Sequence, residues 1–311
     1  MIKKIQYRIK WMFFNLLTFL GFKPSKAKRK GELQVVCFHG VCEDSEHFIN
    51  GRFIKKTQLK KLLIELQKYV NIVSWDEVEA GRLPQDQLNV LITFDDGYLN
   101  NKTILLPIIE DLQIPIVLFV TGRNGKPLWP DLLDVAMANE VNLSTIFENG
   151  LDLKNNQEIK KYLINLDEEN IEKITLELVS LTQPFSKDYL NFHQLLTNEE
   201  IMQLAKNPYI TVGNHSMNHL AMNQLDIGKM KSEIDEVNKI FKNSQGYRST
   251  IFAFPFGVYH KENVIHLKEM GIDYQFVLDT QSTAGNVINR MAINPFVSEN
   301  VTIRSILNGR Y

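Results

Sequence analysis

The sequence has few cysteines and no excess of either charge. It contains only Cys37 and Cys42 in 311 residues, which is too few for a disulfide framework, so both thiols are expected to be reduced. The formal net charge is -1; this gives no argument for binding nucleic acid, and no nucleic-acid motif is present. With 16 glycines and 10 prolines, the chain is not collagen-like or of low complexity. Its 44% of hydrophobic residues suffices for a sizeable core.

Long hydrophobic runs are also missing, including at the amino terminus. The apolar residues there fall on one helical stripe at three- and four-residue spacing: Ile2, Ile5, Ile9, Met12, Phe13, Leu16 and Leu20. The apolar stretch is shorter than the about 20 residues of a membrane span, and no cleavage signature follows it. Because several lysines and arginines lie off the stripe, residues 2–22 are expected to make peripheral contact with an anionic membrane. Packing on the rest of the chain, a signal peptide and an anchor are the alternatives.

From residue 31 onward, short apolar runs alternate with helical patterns. The strand-like runs are 33–38, 90–94, 114–120, 209–213, 251–255 and 273–278. Helices are expected between them, one capped by Thr57 with Leu59, Leu62, Leu63 and Leu66 as its apolar face, and others over about 100–112, 230–241 and 261–270. Repeated strand and helix units predict an α/β fold with a parallel sheet, and their number favours a distorted barrel.

One segment interrupts this alternation. Residues from about 123 to 207 are polar and rich in Leu and Glu, with no strand-like run, which predicts a helical insertion, since a structureless loop of that length is rare. The expected organisation is therefore a basic amphipathic segment and linker over 1–30, followed by one barrel domain over 31–311 that contains the insertion.

Two adjacent carboxylates, Asp95 and Asp96, follow the apolar run 90–94 and precede Gly97. A partly desolvated pair of like charges needs a cation or hydrogen-bond donors, because burial and repulsion otherwise raise the pKa of at least one member. A buried strand that ends here places the pair on the carboxyl-end rim of the sheet, where α/β folds gather active sites. The same letters also form ordinary turns, so the motif alone leaves both interpretations open.

Two histidines form a second candidate group. His215 and His219 are four residues apart and follow a predicted strand end at Gly213. On a helical turn this spacing directs both imidazoles to one side. With one carboxylate they form a ligand set used for Zn²⁺ or Fe²⁺, which leaves positions open for water and substrate. A surface position or a core cluster is the alternative for two histidines alone.

Taken together, the motifs TFDDG and HSMNH resemble the polysaccharide deacetylase family, also called the NodB-homology domain or carbohydrate esterase family 4. The segment FAFPFG resembles that family's Pro-aromatic-Gly motif, and the resemblance covers about residues 33–295 apart from the insertion. It implies a distorted (β/α) barrel of about seven strands. It also implies a hydrolase that removes N-acetyl groups, or less often O-acetyl groups, from a glycan of exopolysaccharide, capsule or cell-wall metabolism. A bacterial location, membrane-associated or cytoplasmic, is expected.

The resemblance also implies a metal and a base. At the matching positions, Asp96, His215 and His219 would hold a divalent ion, and Asp95 would take a proton from the attacking water. Zn²⁺ is the default, and Co²⁺, Ni²⁺ or Fe²⁺ are alternatives, since this ligand set accepts all of them. The implied partner is an acetylated glycan.

The sequence departs from the family pattern at two points. Many members carry an arginine in the Pro-aromatic-Gly block that orients the base; here it is absent, as in an exopolysaccharide branch, and Arg290 resembles a late Arg-bearing block of that branch. The late Leu-x-His block of the general acid is also absent. The segment VVCFHGV instead places His39 after the first predicted strand, which resembles circularly permuted members. The resemblance thus implies Arg290 beside the base and His39 as the acid, unless His39 is only hydrogen-bonded at a strand end.

Two aromatic residues inside the motifs are candidate sugar contacts. Tyr98 and Phe256 could stack on a sugar ring, although aromatics near strand ends more often belong to the core. Two other functions stay open. One is an amide or ester hydrolase for a small molecule on the same fold. The other is a glycan-binding protein without turnover, which the absent arginine favours and the intact aspartate and histidine motifs oppose.

Overall fold

The computed structural model of the chain describes residues 29–45, 50–147, 156–185, 191–245, 249–278 and 286–309, together with residues 12, 13 and 16. Its strands are β1 (Leu33–Phe38), β2 (Val41–Cys42), β3 (Ile54–Lys55), β4 (Val70–Ile72), β5 (Leu88–Phe94), β6 (Ile116–Val120), β7 (Ile210–Asn214), β8 (Ile251–Ala253), β9 (Tyr274–Val277) and β10 (Val287–Ala292). Its α-helices are α1 (Lys56–Leu66), α2 (Trp75–Glu79), α3 (Leu106–Leu112), α4 (Trp129–Ala138), α5 (Asn156–Ile164), α6 (Glu168–Thr182), α7 (Asn198–Leu204), α8 (Ile227–Gln245), α9 (Lys261–Glu269) and α10 (Glu299–Asn308). A π-helical turn, Asn101–Leu105, precedes α3.

Seven parallel strands close into a barrel. Their order around it is β1, β10, β9, β8, β7, β6 and β5, and the ring closes because β1 also pairs with β5. The short strand β4 pairs with Leu88 to Val90 at the start of β5, whereas β6 pairs with Thr93 and Phe94 at its end. This arrangement confirms the distorted (β/α) barrel predicted from the sequence. Strands β2 and β3 form a separate small sheet.

The barrel strands are apolar on both faces, because one face points into the barrel and the other packs against helices. All seven residues of β5 are buried. Val90 and Ile92 join the outer cluster with the leucines of α1, whereas Leu91 joins an inner cluster with Val35 and Phe119. Alternation along β5 therefore puts Asp95, two residues beyond Thr93, on the inner side at the carboxyl end.

The first helix is present with the predicted apolar face: Leu59, Leu62, Leu63 and Leu66 are its buried residues. The predicted cap is wrong. The helix begins at Lys56, its N-cap residue is Lys55, and the Thr57 hydroxyl in the first turn donates to Asp44 instead. The predicted helices over 100–112, 230–241 and 261–270 are also present, the first as the π-helical turn and α3.

Among the residues that the structure describes between β6 and β7, four α-helices are present, α4 to α7. No residue of a named strand occurs among the described residues of 123–207. Helices α4, α5 and α6 share an apolar cluster of their own that includes Trp129, Leu133, Leu163 and Leu178. The boundaries predicted for the insertion stay a prediction.

The amino-terminal segment is described only at Met12, Phe13 and Leu16, which are helical and exposed. The other positions of the predicted stripe lie outside the described residues, so membrane contact through residues 2–22 stays a prediction. Among the helices of the described ranges, none has the length and hydropathy to cross a bilayer.

Candidate active site

The predicted site residues meet at the carboxyl end of the barrel. Asp95 and Asp96 directly follow β5, His215 directly follows β7, and His39 directly follows β1. Parallel strands end at the same rim, so residues from three distant parts of the sequence come together there. Arg290 lies on β10, which neighbours β1.

Three of these side chains converge on one point. Asp96 Oδ1 lies 3.3 Å from His215 Nε2 and 3.2 Å from His219 Nε2, and the three side chains are at most 3% exposed. A tetrahedral site with bonds of about 2.0–2.1 Å has ligand atoms about 3.3 Å apart. The observed spacings match that edge length, so the donor set fits a small divalent cation.

The hydrogen bonding of this group favours the same interpretation. Asp96 Oδ1 is buried and makes no hydrogen bond within the described part of the chain, although buried polar atoms nearly always have a partner. His215 Nδ1 lies 2.7 Å from the carbonyl oxygen of Ala253, a contact that orients Nε2 toward Asp96, as outer contacts of metal-binding histidines do.

The pKa shifts of Asp96 and His219 favour the protonation states in which these groups bind a metal. Burial alone raises the pKa of Asp96, but the neighbouring His219 and His215 imidazoles hold it well below its usual range. Burial lowers the pKa of His219, against the attraction of Asp96. An ionised carboxylate and a neutral imidazole are the ligand forms.

The backbone of this site is strained at four non-glycine residues. Asp96, Ser216, His219 and Phe256 have φ values of 73°, 63°, 56° and 58°. Left-handed φ is uncommon for such residues and costs of order 1–3 kcal/mol at each position. The surrounding structure enforces it; for example, the Ser216 hydroxyl accepts a hydrogen bond from the His219 backbone N–H at 3.0 Å. Strain concentrated in this way is a feature of functional sites.

Asp95 is paired with Arg290 inside the barrel. Arg290 Nη1 and Nη2 donate to the two carboxylate oxygens at 2.7 and 2.8 Å, and the side chains are 0% and 3% exposed. Burial alone raises the pKa of Asp95, but Arg290 holds it below its usual range. Cys37 Sγ also donates to Asp95, at 3.3 Å, and burial keeps the pKa of that thiol well above its ordinary value. Asp95 is therefore ionised and oriented at neutral pH.

His39 lies on the same side of the site. One ring nitrogen of His39, the Sγ atom of Cys37 and one carboxylate oxygen of Asp95 lie within 4.8 Å of one another. The His39 carbonyl oxygen accepts a hydrogen bond from Asn101 at 3.0 Å. Burial lowers the pKa of His39 to about 4, although Asp96 opposes this shift. The imidazole is thus neutral near pH 7 in the resting protein.

The two aromatic candidates occupy different positions. Phe256 is half-buried, and its ring lies 4.4 Å from the His219 ring and 5.6 Å from Trp129; a sugar contact there stays a prediction. Tyr98 is fully buried, and its hydroxyl donates to Asp131 at 3.0 Å. This placement favours a supporting role for Tyr98 over the sugar contact predicted from the sequence.

Two charged residues that the sequence analysis did not select lie beside Asp96. Arg52, 27% exposed, donates from Nη1 to Asp96 Oδ2 at 3.4 Å and from Nη2 to Asp131 Oδ1 at 2.5 Å. Asp131 is completely buried in the first turn of α4; burial raises its pKa, whereas Arg52 opposes the shift. An acidic residue in a first helical turn is ordinary, so its sequence context gave no signal.

A large cavity lies beside the site. Its volume is about 990 Å³, and it lies between α4, α6 and the loop that carries the two histidines, with Met217, Asn218 and Leu220 in its wall. Leu132 and Ile171 contribute apolar surface, and Arg123 contributes charge. Ligand sites commonly have volumes of about 300–1,000 Å³ with this mixture of surfaces.

A model of the family described as polysaccharide deacetylase matches residues 83–275, more than half of the chain. The chain belongs to the polysaccharide deacetylase family. The range matched by this family includes the paired aspartates and both histidines of the site, whereas His39 and Arg290 lie outside it.

One curated protein and two solved structures are similar to the chain, and the two structures bear on its fold. YxkH of Bacillus subtilis (strain 168), which carries the name of a polysaccharide deacetylase, is 27% identical over 109 residues; the match spans 33% of this chain and only 38% of YxkH. IcaB from Ammonifex degensii has a similar fold, with a TM-score of 0.60, 17% identity and coverage of 90% of this chain and 99% of IcaB. The deacetylase PplD of Streptococcus pyogenes, solved with acetate, gives a TM-score of 0.57 at 13% identity, with coverage of 88% and 99%.

Proposed function

We propose that the protein is a metal-dependent hydrolase that removes N-acetyl, or less often O-acetyl, groups from a glycan. Family membership supports a deacetylase. The observation that carries the proposal is the convergence of Asp96 Oδ1 with the Nε2 atoms of His215 and His219, directly beside an ionised carboxylate that is held by an arginine.

Asp96, His215 and His219 would hold the metal, with Zn²⁺ as the first choice and Co²⁺, Ni²⁺ or Fe²⁺ as alternatives. When bound, a divalent ion would polarise the acetyl carbonyl and lower the pKa of the attacking water. The three ligands leave part of the coordination sphere to water and substrate, as catalytic sites require.

Asp95 would be the general base. Its carboxylate is ionised at neutral pH because Arg290 outweighs the effect of burial on its pKa, so it can accept a proton from the attacking water. The two hydrogen bonds from Arg290 fix its orientation. Arg290 thereby takes the place of the arginine that is missing from the Pro-aromatic-Gly block.

His39 would pass a proton to the departing amine. Since the pKa of the His39 imidazole in the protein is about 4, His39 must first receive that proton. Asp95 would have accepted one from the attacking water, and its carboxylate lies within 4.8 Å of a His39 ring nitrogen. The proton would therefore pass from Asp95 to His39 and then to the leaving nitrogen as the C–N bond breaks.

The proposed substrate is an acetylated polymer of exopolysaccharide, capsule or cell-wall metabolism. Loss of acetyl groups converts neutral acetamides into amines, which carry positive charge near neutral pH and so bind anionic surfaces. Peripheral membrane contact through residues 2–22 would bring the site close to newly exported or lipid-linked glycan. Deleting those residues should move the protein to the soluble fraction, and unchanged membrane association would count against this part of the proposal.

The test is acetate release from N-acetylglucosamine oligomers by protein loaded with Zn²⁺. Asp95→Asn and His215→Ala should each abolish release, because one removes the base and the other a metal ligand. Asp111→Asn and His266→Ala change the same residue types away from the site and should leave the rate unchanged. If metal-loaded protein releases no acetate from any glycan, glycan deacetylation is refuted, and a small-molecule amide or ester becomes the next substrate to test.

A further inference from the structure

The Arg52 guanidinium lies between two buried carboxylates and binds one of them much more closely. Its Nη2 atom lies 2.5 Å from Asp131 Oδ1, whereas Nη1 lies 3.4 Å from Asp96 Oδ2. A third donor, Nε, reaches Asn50 Oδ1 at 3.1 Å. Charge-assisted hydrogen bonds are strong at about 2.7–2.9 Å and weaken with distance, so Asp131 is the main partner of this arginine.

Asp131 is itself held firmly in place. It is completely buried on α4 and accepts hydrogen bonds from Asn50 Nδ2 at 2.9 Å and from the Tyr98 hydroxyl at 3.0 Å, in addition to Arg52. Donors directed at a carboxylate favour its ionised form. Its position in the first turn of α4 favours negative charge as well.

The two aspartates of the TFDDG motif make different contacts with arginine. Arg290 binds both oxygens of Asp95. Arg52 reaches only Oδ2 of Asp96. Oδ1 faces the two histidines and has no hydrogen-bond partner among the described residues. A guanidinium that engaged both oxygens of Asp96 would compete with a cation for its charge.

We propose that Asp131 is a positioning residue for the metal site: it holds the Arg52 guanidinium on the Oδ2 side of Asp96 and so leaves Oδ1 to the metal. This inference rests on the proposed metal site. It also gives α4, which lies between β6 and β7, a part in building a site whose ligands all come from other elements.

The experiment measures Zn²⁺ affinity of the full chain by competition with a chromophoric chelator. In Asp131→Asn, the uncharged amide no longer balances Arg52, which turns to Asp96, and the affinity should fall about 10- to 100-fold, the usual effect of changing an outer contact of a metal ligand. In the double variant Arg52→Gln with Asp131→Asn, the competing cation is gone, and the affinity should return to within about threefold of the wild-type value. Asp111→Asn is the control for a surface carboxylate.

Urea unfolding of the metal-free variants accompanies the titrations, because removing Arg52 also relieves the unpaired charge that Asp131→Asn leaves behind and can restore a weakened fold. Affinities that change while the unfolding midpoints stay equal distinguish positioning from support of the fold, and an affinity loss that only accompanies a loss of stability would overturn the inference. Wild-type affinity in Asp131→Asn, or a double variant as weak as Asp131→Asn, would overturn the inference. Arg52→Gln alone gives an independent result if Asp131→Asn does not fold. It should keep its affinity, and a tenfold loss would show that Arg52 supports the metal ligand rather than competing with the metal. If the wild-type protein binds no Zn²⁺, the proposed metal site fails instead.

Discussion

Replacing Arg290 by glutamine tests whether the buried ion pair controls the charge of Asp95. The substitution removes the guanidinium that donates to both carboxylate oxygens at 2.7 and 2.8 Å and leaves an uncharged amide near Thr93, which Arg290 contacts at 3.2 Å. The remaining carboxylate stays buried at 3% exposure. Breaking a buried pair in this way costs about 3–5 kcal/mol of unfolding free energy when the remaining group is charged.

The penalty should depend on pH. In the wild-type protein, Arg290 holds the pKa of folded Asp95 below its usual range although burial raises it. The pair therefore contributes stability above the unfolded pKa of about 3.9, which is lost as the pH falls through the folded pKa. In the variant, burial is no longer opposed by Arg290, so the folded pKa rises above the unfolded one. The variant then loses stability as the pH rises from the unfolded pKa of Asp95 through its raised folded pKa. The difference in unfolding free energy between wild type and variant therefore grows from a small value in acid to about 3–5 kcal/mol near pH 7.

Urea unfolding of the metal-free proteins across the acid-to-neutral range measures this difference. Arg82→Gln, a change at an exposed arginine, is the control and should show no pH-dependent penalty. In acetate-release assays, the acid limb of the Arg290→Gln pH–rate profile should move to higher pH, because Asp95, the proposed base, is protonated more easily. A stability difference of equal size in acid and at pH 7 would refute the reasoning, since it would show that Arg290 acts through packing alone.

Three further predictions concern the metal, a turn and a thiol. Zn²⁺ at 100 times its Kd should raise the unfolding free energy by about 2.7 kcal/mol, seen as a higher Tm that a chelator reverses; an equal rise in His219→Ala would place the metal elsewhere. Gly97→Ala should lower the unfolding free energy by about 1–3 kcal/mol, because φ is 75° and a Cβ would lie 3.0 Å from Val120 Cγ1. Gly271→Ala, where φ is 81° but the space is open, is its control in urea unfolding, and an equal loss there would contradict the steric contribution. Cys37 should resist alkylation near neutral pH until urea unfolds the protein, because burial raises its pKa; equally fast labelling of the folded protein would contradict this.

Most of the barrel could be predicted because its strands are apolar on both faces, which short sequence runs reveal directly. Of the seven barrel strands, β10 was not predicted from the sequence. Its run is broken by Asn289 and Arg290, and the reason is structural: Arg290 points into the barrel to reach Asp95, where apolar residues otherwise lie. A buried strand that carries a charged residue lacks the apolar pattern by which buried strands are predicted. The charge of Arg290 is explained by its partner Asp95, which lies far away in the sequence.

The candidate site likewise contains residues that local motifs predict and residues that only long-range contacts place there. Asp95, Asp96 and the two histidines stand in recognisable motifs at strand ends, and the structure brings them together. Arg52 and Asp131 stand in no motif, and their contact joins positions 79 residues apart, which no local pattern encodes. Tyr98 was selected for its place in a motif, but its hydroxyl donates to the same buried Asp131, 33 residues away in the sequence.

Because the barrel closes through its first strand, the two pairings of β1 become possible at different times during synthesis of the chain. β1 pairs with β5 and β10, so a growing chain can form the first pairing long before it contains the second. The proposed metal ligands are complete once His219 has been made, whereas Arg290 follows roughly 70 residues later, on the order of 4 to 14 seconds at about 5–20 residues per second. Throughout that interval Asp95 lacks the guanidinium that holds both of its oxygens in the complete barrel. Completion of β10 therefore sets the moment at which the proposed base gains its buried partner, after the proposed metal ligands have been synthesised.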